Sequence, residues 1–187
     1  SDSVANIFSP QRTIVDGENK QVMVVDIGGK STTVTIVSGG VAILNRDIPF
    51  GLDTLNPLIM REIKQDNPEK VEEFKEQYAG IYREGASGEH IQYISSIIKP
   101  MLEYQLVSEL KRFLQFHYSR GKNRTIDQAY IIGGGAYLKN IDQYMTQALG
   151  VRCISGITLD IKQVEFEKEF EGKGAYFANI LGLVSEF

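Results

Sequence analysis

The chain has 187 residues, 42% of them hydrophobic and 24% charged, with a formal net charge of −4. This composition is typical of a globular protein of one domain or two closely packed subdomains, and the acidic balance argues against nucleic-acid binding. No run of about 18 apolar residues is present, so no membrane insertion is expected. The single cysteine, Cys153, excludes an internal disulfide and favours a cytoplasmic location.

Three strands are predicted near the start of the chain, at residues 21–26, 32–37 and 41–48. Each is rich in β-branched residues, and short glycine-containing turns separate them. Beyond Gly51, apolar residues recur at helical spacing and predict a helix: Leu55, Leu58, Ile59 and Ile63. Pro57 is tolerated only in the first turn of that helix.

The middle of the chain divides into a polar segment and a long periodic one. Residues 66–96 are charged and rich in turn residues, which predicts a small insertion with a helix starting at Asn67-Pro68. Apolar residues then recur every three to four positions, which predicts a helix over 97–120. Such a helix must pack its apolar face on something large.

A strand predicted at 127–132 leads directly into Gly133, Gly134 and Gly135. A helix over 138–149 follows, and Gly150 stands where a left-handed residue ends a helix. Two glycine turns therefore follow apolar strands, about 100 residues apart.

The first glycine turn has the residue types that a phosphate site needs. Gly28 and Gly29 lack a Cβ, so the backbone there can adopt positive φ and its amides can approach phosphate oxygens. Asp26 can hold Mg²⁺ through its waters, and Ser31 and Thr32 supply hydroxyls. The string GGKST is not a Walker A loop, because it lacks the spaced first glycine and leads into a strand. Taken alone, such a turn is more often a simple hairpin than a ligand site.

Three longer stretches carry a family resemblance. VVDIGGKSTTVTIVSGGVAILNRDIPFG resembles the second phosphate motif of the ATPase superfamily that holds actin, FtsA and the heat-shock chaperones, and QAYIIGGGAYLKNIDQYMTQALGVRC resembles its adenosine motif. LVSELKRFLQFHYSRGKNRTID is similar to the long helix of the PilM family of actin-like type IV pilus assembly proteins, and YFANILGL to that family's carboxyl-terminal end. The resemblance covers the whole chain.

The resemblance implies an α/β fold, an RNase H-like mixed sheet packed by helices with a small inserted subdomain. Residues 1–65 and 97–187 would form the RNase H-like part, and residues 66–96 the insertion. In that fold ATP and Mg²⁺ would bind, with Asp26 as the magnesium-side carboxylate acting through water. The resemblance implies these nucleotide contacts: Asp26, Gly28, Gly29, Ser31, Thr32, Gly51, Glu72, Lys75, Gly133, Gly134 and Gly135.

The superfamily fold has two similar halves, and this chain resembles the second half. We therefore expect one wall of a nucleotide cleft, no catalytic residue in this chain, and at most slow ATP hydrolysis by the whole protein. The family implies a cytoplasmic component of the type IV pilus inner-membrane platform, peripheral to the membrane through its partners. A PilN-like partner would bind through the other half, and self-association is open.

Alternative functions stay open at this point. An FtsA-like membrane-associated cytoskeletal protein would need an amphipathic carboxyl-terminal helix. A sugar kinase of the same superfamily would need a general base, which these residues do not offer. A degenerate actin-like scaffold of a type II secretion system, similar to GspL, would no longer bind nucleotide. His117 and Cys153 are interpreted as buried packing residues rather than as ligands or nucleophiles.

Overall fold

The computed structural model describes residues 21–39, 41–83, 86–121 and 124–156. These residues form a mixed sheet with helices packed on it, as the sequence predicts, but the sheet has five strands where the sequence predicts four. The strands are β1 (Gln21–Ile27), β2 (Thr32–Ser38), β3 (Val41–Ile48), β4 (Gln128–Ile132) and β5 (Cys153–Ser155). The predicted YFANILGL end lies outside the described residues.

The sheet is mixed, with the order β3-β2-β1-β4-β5. β1 pairs antiparallel with β2 and parallel with β4, while β2 and β3 are antiparallel and β4 and β5 are parallel. β1 is the central strand because its apolar run fills both faces of the sheet. Met23 and Val25 join the main core, whereas Val22 and Val24 join a small cluster on the opposite face. Such a continuous apolar run is typical of a strand buried on both faces.

The helices occur in the predicted order. They are α1 (Asn56–Ile63), α2 (Pro68–Tyr78), α3 (Glu89–Met101), α4 (Ser108–Ser119) and α5 (Ile141–Leu149). A 3₁₀ turn at Leu52–Leu55 precedes α1, a π-helical turn at Leu102–Val107 joins α3 to α4, and a second 3₁₀ turn lies at Gly134–Tyr137.

Local sequence signals set several of these helix ends. The Asn67 side chain accepts a hydrogen bond from the Glu69 amide at 2.9 Å, so it caps α2 where Asn67-Pro68 predicts a helix start. Pro57 lies in the first turn of α1, where its missing N–H removes no helical bond. Gly150 ends α5 with a φ of 67°, which confirms the predicted helix stop.

Two predicted helix boundaries are wrong. The helix predicted over 97–120 begins eight residues earlier, at Glu89, and contains Pro100. Proline has no N–H to bond the carbonyl four residues back, yet the helix continues because buried Ile94, Ile98 and Leu102 pack their side chains into the core. The long helix therefore crosses the predicted boundary at 96/97, and the division into two subdomains stays a prediction.

The helix predicted over 138–149 begins at Ile141 instead. The chain after β4 first makes the 3₁₀ turn, and Asn140 then adopts a left-handed φ of 62°. A left-handed residue cannot continue a right-handed helix, so α5 starts after it.

The main core lies between one face of the sheet and the long helix. The following buried residues of α3, the π-helical turn and α4 line it: Ile94, Ile98, Leu102, Leu106, Leu110, Phe113 and Leu114. Burying each such side chain contributes about 1.5–3 kcal/mol relative to exposure. This packing fixes the sheet as a rigid support for the loops at its ends.

Candidate functional site

The sheet topology brings the two glycine turns together. β1 and β4 are parallel neighbours, with Asp26 opposite Ile132 in the register. Gly28 and Gly133 each follow within two residues of those positions, so both turns leave the same end of the sheet. A ligand of an open α/β sheet binds in a crevice at the carboxyl ends of parallel strands. We call this end, with both glycine turns and the loop at 49–54, the glycine end.

Hydrogen bonds hold the first turn by its carbonyl groups. The Gly28 amide donates to the Ser31 carbonyl at 3.0 Å, which closes the turn. The Gly28 carbonyl accepts from the Leu52 amide at 3.0 Å, and the Gly29 carbonyl accepts from the Asp53 amide at 2.8 Å. The loop after β3 therefore fixes both peptide planes of the turn.

Those two bonds decide where the next amides point. The described chain has no cis peptide bond, and in a trans peptide the N–H points opposite to the carbonyl. The amides of Gly29 and Lys30 therefore point away from the 51–53 segment, and both residues are exposed. Within the described ranges, no backbone or side-chain acceptor bonds either amide. Successive outward amides of this kind form an anion-binding concavity.

Gly51 is required because the loop after β3 crosses the first turn at contact distance. A Cβ on Gly51 would lie 2.2 Å from the Gly29 carbonyl oxygen, and a Cβ on Gly29 would lie 3.0 Å from a carboxylate oxygen of Asp53. Neither Gly28 nor Gly29 is among the described glycines with positive φ. The expectation of positive φ at the first turn is therefore wrong, and glycine is needed there for space.

The second turn packs directly on the end of β1. Gly133 has a φ of 73°, and a Cβ on it would lie 2.3 Å from Asp26 Oδ1 and 2.7 Å from the Ile27 carbonyl oxygen. A Cβ on Gly135 would lie 2.4 Å from the Ile27 Cβ. The Asp26 carboxylate thus lies against the second turn, and it is partly exposed. Gly133 and Gly135 are buried beneath the turn, whereas Gly134 is half-exposed.

The hydroxyl residues of the first turn have different environments. Ser31 is exposed beside the outward amides. Thr32 is fully buried, and its hydroxyl donates to the Phe50 carbonyl at 2.8 Å. The Thr33 hydroxyl donates to Asp47 Oδ1 at 2.7 Å on β3. Ser31 is therefore available to a ligand, whereas the Thr32 side chain holds the loop after β3 under the turn.

Glu72 and Lys75 lie on α2 and pair with each other. Lys75 Nζ is 2.6 Å from Glu72 Oε1, with Lys75 largely buried and Glu72 exposed. Hydrogen bonds connect the residues that follow α2 to the loop after the second turn. The Ile81 amide donates to the Lys139 carbonyl at 2.8 Å, and the Asn140 side-chain amide donates to the Ile81 carbonyl at 2.9 Å.

Sequence reasoning missed Asp53. Its carboxylate lies against Gly29, and its amide holds the Gly29 carbonyl. The available signal was its place two residues after Gly51, in the first turn of a helical segment, where acidic residues are favourable. The glycine end therefore presents two carboxylates, with Asp53 against the first turn and Asp26 against the second.

His117 and Cys153 have the predicted structural roles. His117 is 1% exposed, and its Nε2 lies 2.7 Å from Gln21 Oε1. Burial, with the charges of Arg124 and Arg120, holds the pKa of His117 below its usual value. Burial raises the pKa of the Cys153 thiol to about 11, so the thiol is protonated and unreactive at neutral pH.

The donor set at the glycine end suits a hydrated cation better than a directly ligated one. Among the described residues, no group of three or more His, Cys, Asp or Glu side chains could hold a metal ion. Mg²⁺ in proteins usually keeps several waters and uses one or two carboxylates together with phosphate oxygens. Asp26, with outward amides nearby, fits that arrangement. The described helices include none long and apolar enough to cross a membrane.

Comparisons with known proteins agree with this fold. The family model for the type IV pilus assembly protein PilM matches residues 8–170. A solved PilM-PilN type IV pilus biogenesis complex matches with a TM-score of 0.69 and 22% identity, over 99% of this chain and 51% of that one.

Two further solved structures share the fold at lower identity. MreB5 of Spiroplasma citri, bound to AMPPNP, gives a TM-score of 0.64 and 14% identity over 99% of this chain and 57% of that one. The archaeal actin homologue Ta0583, in complex with ADP, gives 0.60 and 15% over 98% and 55%. The chain thus has an actin-like α/β fold and spans about half the length of the solved structures it matches.

Proposed function

This chain belongs to the PilM family of type IV pilus assembly proteins, and we propose that its glycine end forms one wall of an ATP site in that family's actin-like fold. The observation that carries the proposal is the parallel pairing of β1 and β4. It puts a turn with two outward amides beside a second glycine turn at one end of the sheet. Two structures that share the fold were solved with AMPPNP and ADP, which supports a nucleotide as the ligand.

The first turn would bind the phosphates. The amides of Gly29 and Lys30 would donate to phosphate oxygens, with the Ser31 hydroxyl beside them. Gly28, Gly51 and the buried Thr32 hydroxyl would keep the turn in place from below. Mg²⁺, when bound, would neutralise phosphate charge, and Asp26 would hold it through water.

The second turn would bind the adenosine. Gly133 and Gly135 let the turn pack tightly on Ile27, so that Gly134 is presented at the surface where a ribose or adenine can lie against the backbone. Glu72 and Lys75 would reach the nucleotide from α2, which the Ile81–Lys139 bond ties to the same loop. We propose that residues 66–96 form the inserted subdomain, which includes α2.

The remaining parts of the function concern the whole protein. We propose that it works in the cytoplasm at the inner-membrane platform of the pilus, bound to a PilN-like partner through the other half of the fold. ATP hydrolysis would be slow and would need that other half. With this half alone the phosphates would be exposed to water, which weakens electrostatic stabilisation of the transition state. This chain would supply binding and no catalytic residue.

The test is a calorimetric titration of ATP-Mg²⁺ into the whole natural protein and its Asp26→Asn variant. We expect the variant to bind about tenfold more weakly, a loss of about 1.4 kcal/mol, because the amide cannot hold the hydrated cation. Binding of adenosine alone should stay unchanged, because Asp26 serves the phosphates and not the base. Asp66→Asn, which removes the same charge from an exposed loop, is the matched control and should bind like the wild type.

Equal ATP-Mg²⁺ affinity in the wild type and Asp26→Asn would show that Asp26 has no such role. No binding by the wild-type protein at millimolar ATP-Mg²⁺ would instead favour the scaffold alternative, in which the fold persists without nucleotide.

A further inference from the structure

Positive charge is concentrated near the carboxyl end of α4. Residues 109–124 contain five lysine or arginine residues and one acidic residue, whereas the whole chain has a formal net charge of −4. Among these cations, Arg112 and Arg120 are exposed and Arg124 is half-buried. Such a concentration of one sign creates a local potential that attracts ligands of the opposite charge.

Contacts join three of these arginines and an exposed aromatic ring into one surface. The Arg120 guanidinium lies over the Phe116 ring, 5.3 Å from its centroid. Phe116 is 53% exposed and stands one helical turn after Arg112, on the same side of α4. Arg124 folds back onto the end of the helix, because its Nε would lie 3.3 Å from a Cβ on Gly121. The surface is therefore continuous along the last turns of α4 and the start of the following loop.

Few carboxylates neutralise these guanidinium groups. Arg112 shares the single carboxylate of Glu109 with Arg46. Among the residues that the structure describes, neither Arg120 nor Arg124 has a carboxylate within ion-pair distance. Positive charge at the end of α4 is therefore in excess.

The buried His117 side chain responds to the same positive charge. Burial is the largest cause of its lowered pKa, and the charges of Arg124 and Arg120 lower that pKa further. The next acidic residue along the chain, Asp127, already accepts a hydrogen bond from the Gln21 amide at 2.8 Å. The end of α4 thus presents a positive potential to the solvent.

This surface is convex and lies at the opposite end of the sheet from the glycine end. Tyr118 is 40% exposed, and it lies on the other flank of α4 from Phe116 because two residues advance about 200° around a helix. His117, between them, contacts Gln21 at the start of β1, whereas Gly28 follows the end of that strand about 20 Å away. A planar ligand can therefore reach the end of α4 without covering the glycine end.

We propose that this surface docks on an anionic phospholipid bilayer, and we call it the basic end: Arg112, Phe116, Tyr118, Arg120 and Arg124. The guanidinium groups would donate hydrogen bonds to headgroup phosphates, and aromatic rings are favoured at the interface of a membrane with water. A bilayer offers a planar array of negative charge to a convex helix end, whereas a docked peptide needs a groove or a strand edge. The proposal does not depend on nucleotide binding.

Co-sedimentation of the whole natural protein with lipid vesicles tests the proposal. We expect binding to phosphatidylcholine vesicles that contain phosphatidylglycerol, and no binding to vesicles of phosphatidylcholine alone. Binding should weaken as the NaCl concentration rises, because salt screens the charges of the surface. Arg120→Glu should bind the anionic vesicles about tenfold more weakly, since it replaces a cation at the bilayer surface by an anion.

Two variants are matched controls for Arg120→Glu. Lys99→Glu makes the same change of charge at an exposed residue of α3, about 30 Å away along the helix, and should bind like the wild type. Arg120→Lys keeps the charge and should bind within about twofold of the wild type. Circular dichroism verifies that each variant is folded, and Arg124→Glu provides the same test at a second position.

Two results would overturn the proposal. One is equal binding of the anionic vesicles by the wild type, Arg120→Glu and Arg124→Glu. The other is no binding of those vesicles by the wild type at low salt. In that second case, titration with inorganic phosphate and with a single-stranded oligonucleotide shows whether the basic end takes a free phosphate or a nucleic acid instead.

Discussion

The two ends of the central sheet are built in different ways. At the glycine end, backbone packs on backbone: Gly51 contacts the Gly29 peptide, and Gly133 contacts Asp26 and Ile27. At the far end, where β1 and β4 begin, the backbone bond from the Asp127 amide to the Gln21 carbonyl leaves room for side-chain contacts, such as that of His117 with Gln21. Gly150 also lies at the far end, just before β5, and a Cβ on it would meet nothing within 4 Å.

The difference shows what each end can tolerate. An end made of crowded peptides has little room for side chains, so its own polar backbone groups face the ligand. An end made of side chains can accept substitutions at the cost of one contact each. The glycine end is therefore the part of the fold where a ligand can approach the main chain, and where a single methyl group should cause the greatest harm.

Gly133→Ala should give the largest effect and tests the crowding directly. The new Cβ would lie 2.3 Å from Asp26 Oδ1 in a residue with a φ of 73°, so strain and overlap add. We predict a loss of more than about 3 kcal/mol in the free energy of unfolding, from urea denaturation.

Gly150→Ala is the matched control, because its φ of 67° gives the same strain without the overlap. Its expected cost is about 1–2 kcal/mol. If both variants lose the same stability, crowding at the glycine end is unimportant and the contrast between the two ends fails.

Thr32→Val should have a smaller effect at the same end. The shape is kept, but the Phe50 carbonyl loses the hydroxyl that bonds it at 2.8 Å in a buried site. We predict a loss of about 1–3 kcal/mol of stability.

Ser31→Ala, on the neighbouring exposed residue, should change the stability by less than about 0.5 kcal/mol. Thermal and urea unfolding of the two variants measure the difference. A larger loss in Ser31→Ala than in Thr32→Val would mean that the turn is held by the exposed hydroxyl instead.

The smallest expected effect on stability concerns His117 at the far end, and it appears only when the pH is lowered. Its pKa is lowered in the folded protein, so the unfolded chain takes up the proton first as the pH falls below about 6.5. The stability that neutral His117 contributes is therefore complete above that pH and is lost as the pH falls toward the folded-state pKa. The slope from one proton cannot exceed about 1.4 kcal/mol per pH unit.

Urea unfolding between pH 7 and pH 5 of the wild type and His117→Gln measures this slope. His90 is present in both proteins, so the difference between their profiles belongs to His117. Parallel profiles would show that His117 is protonated as easily in the folded protein as in the unfolded one.

The sequence predicted the strands of the sheet well, and local sequence signals predicted several helix ends. The bounds of β3 match, and those of β1 and β2 extend by one residue. Asn67 and Gly150 act at the helix ends where their residue types predict. Periodicity is weaker where a helix runs into polar sequence, so the first eight residues of α3 were missed.

The candidate site was only partly predictable. Asp26, Gly28, Gly29 and the three glycines after β4 stand out in the sequence because glycine after an apolar strand is a local signal. Asp53 and the crossing of Gly51 over Gly29 do not, since the hydrogen bonds of that contact join residues 24 positions apart. The burial of Thr32 also depends on this crossing and could not be read from its neighbours.

By itself the sequence determined the elements, their order, and the two glycine turns, because these depend on local propensity and on the period of apolar residues. Only the tertiary structure decided that β1 and β4 lie side by side and parallel, which makes one site from turns about 100 residues apart. It also decided which glycines provide space and which adopt positive φ. Such pairings depend on long-range packing of the sheet against the helix, and no local window of sequence contains both partners.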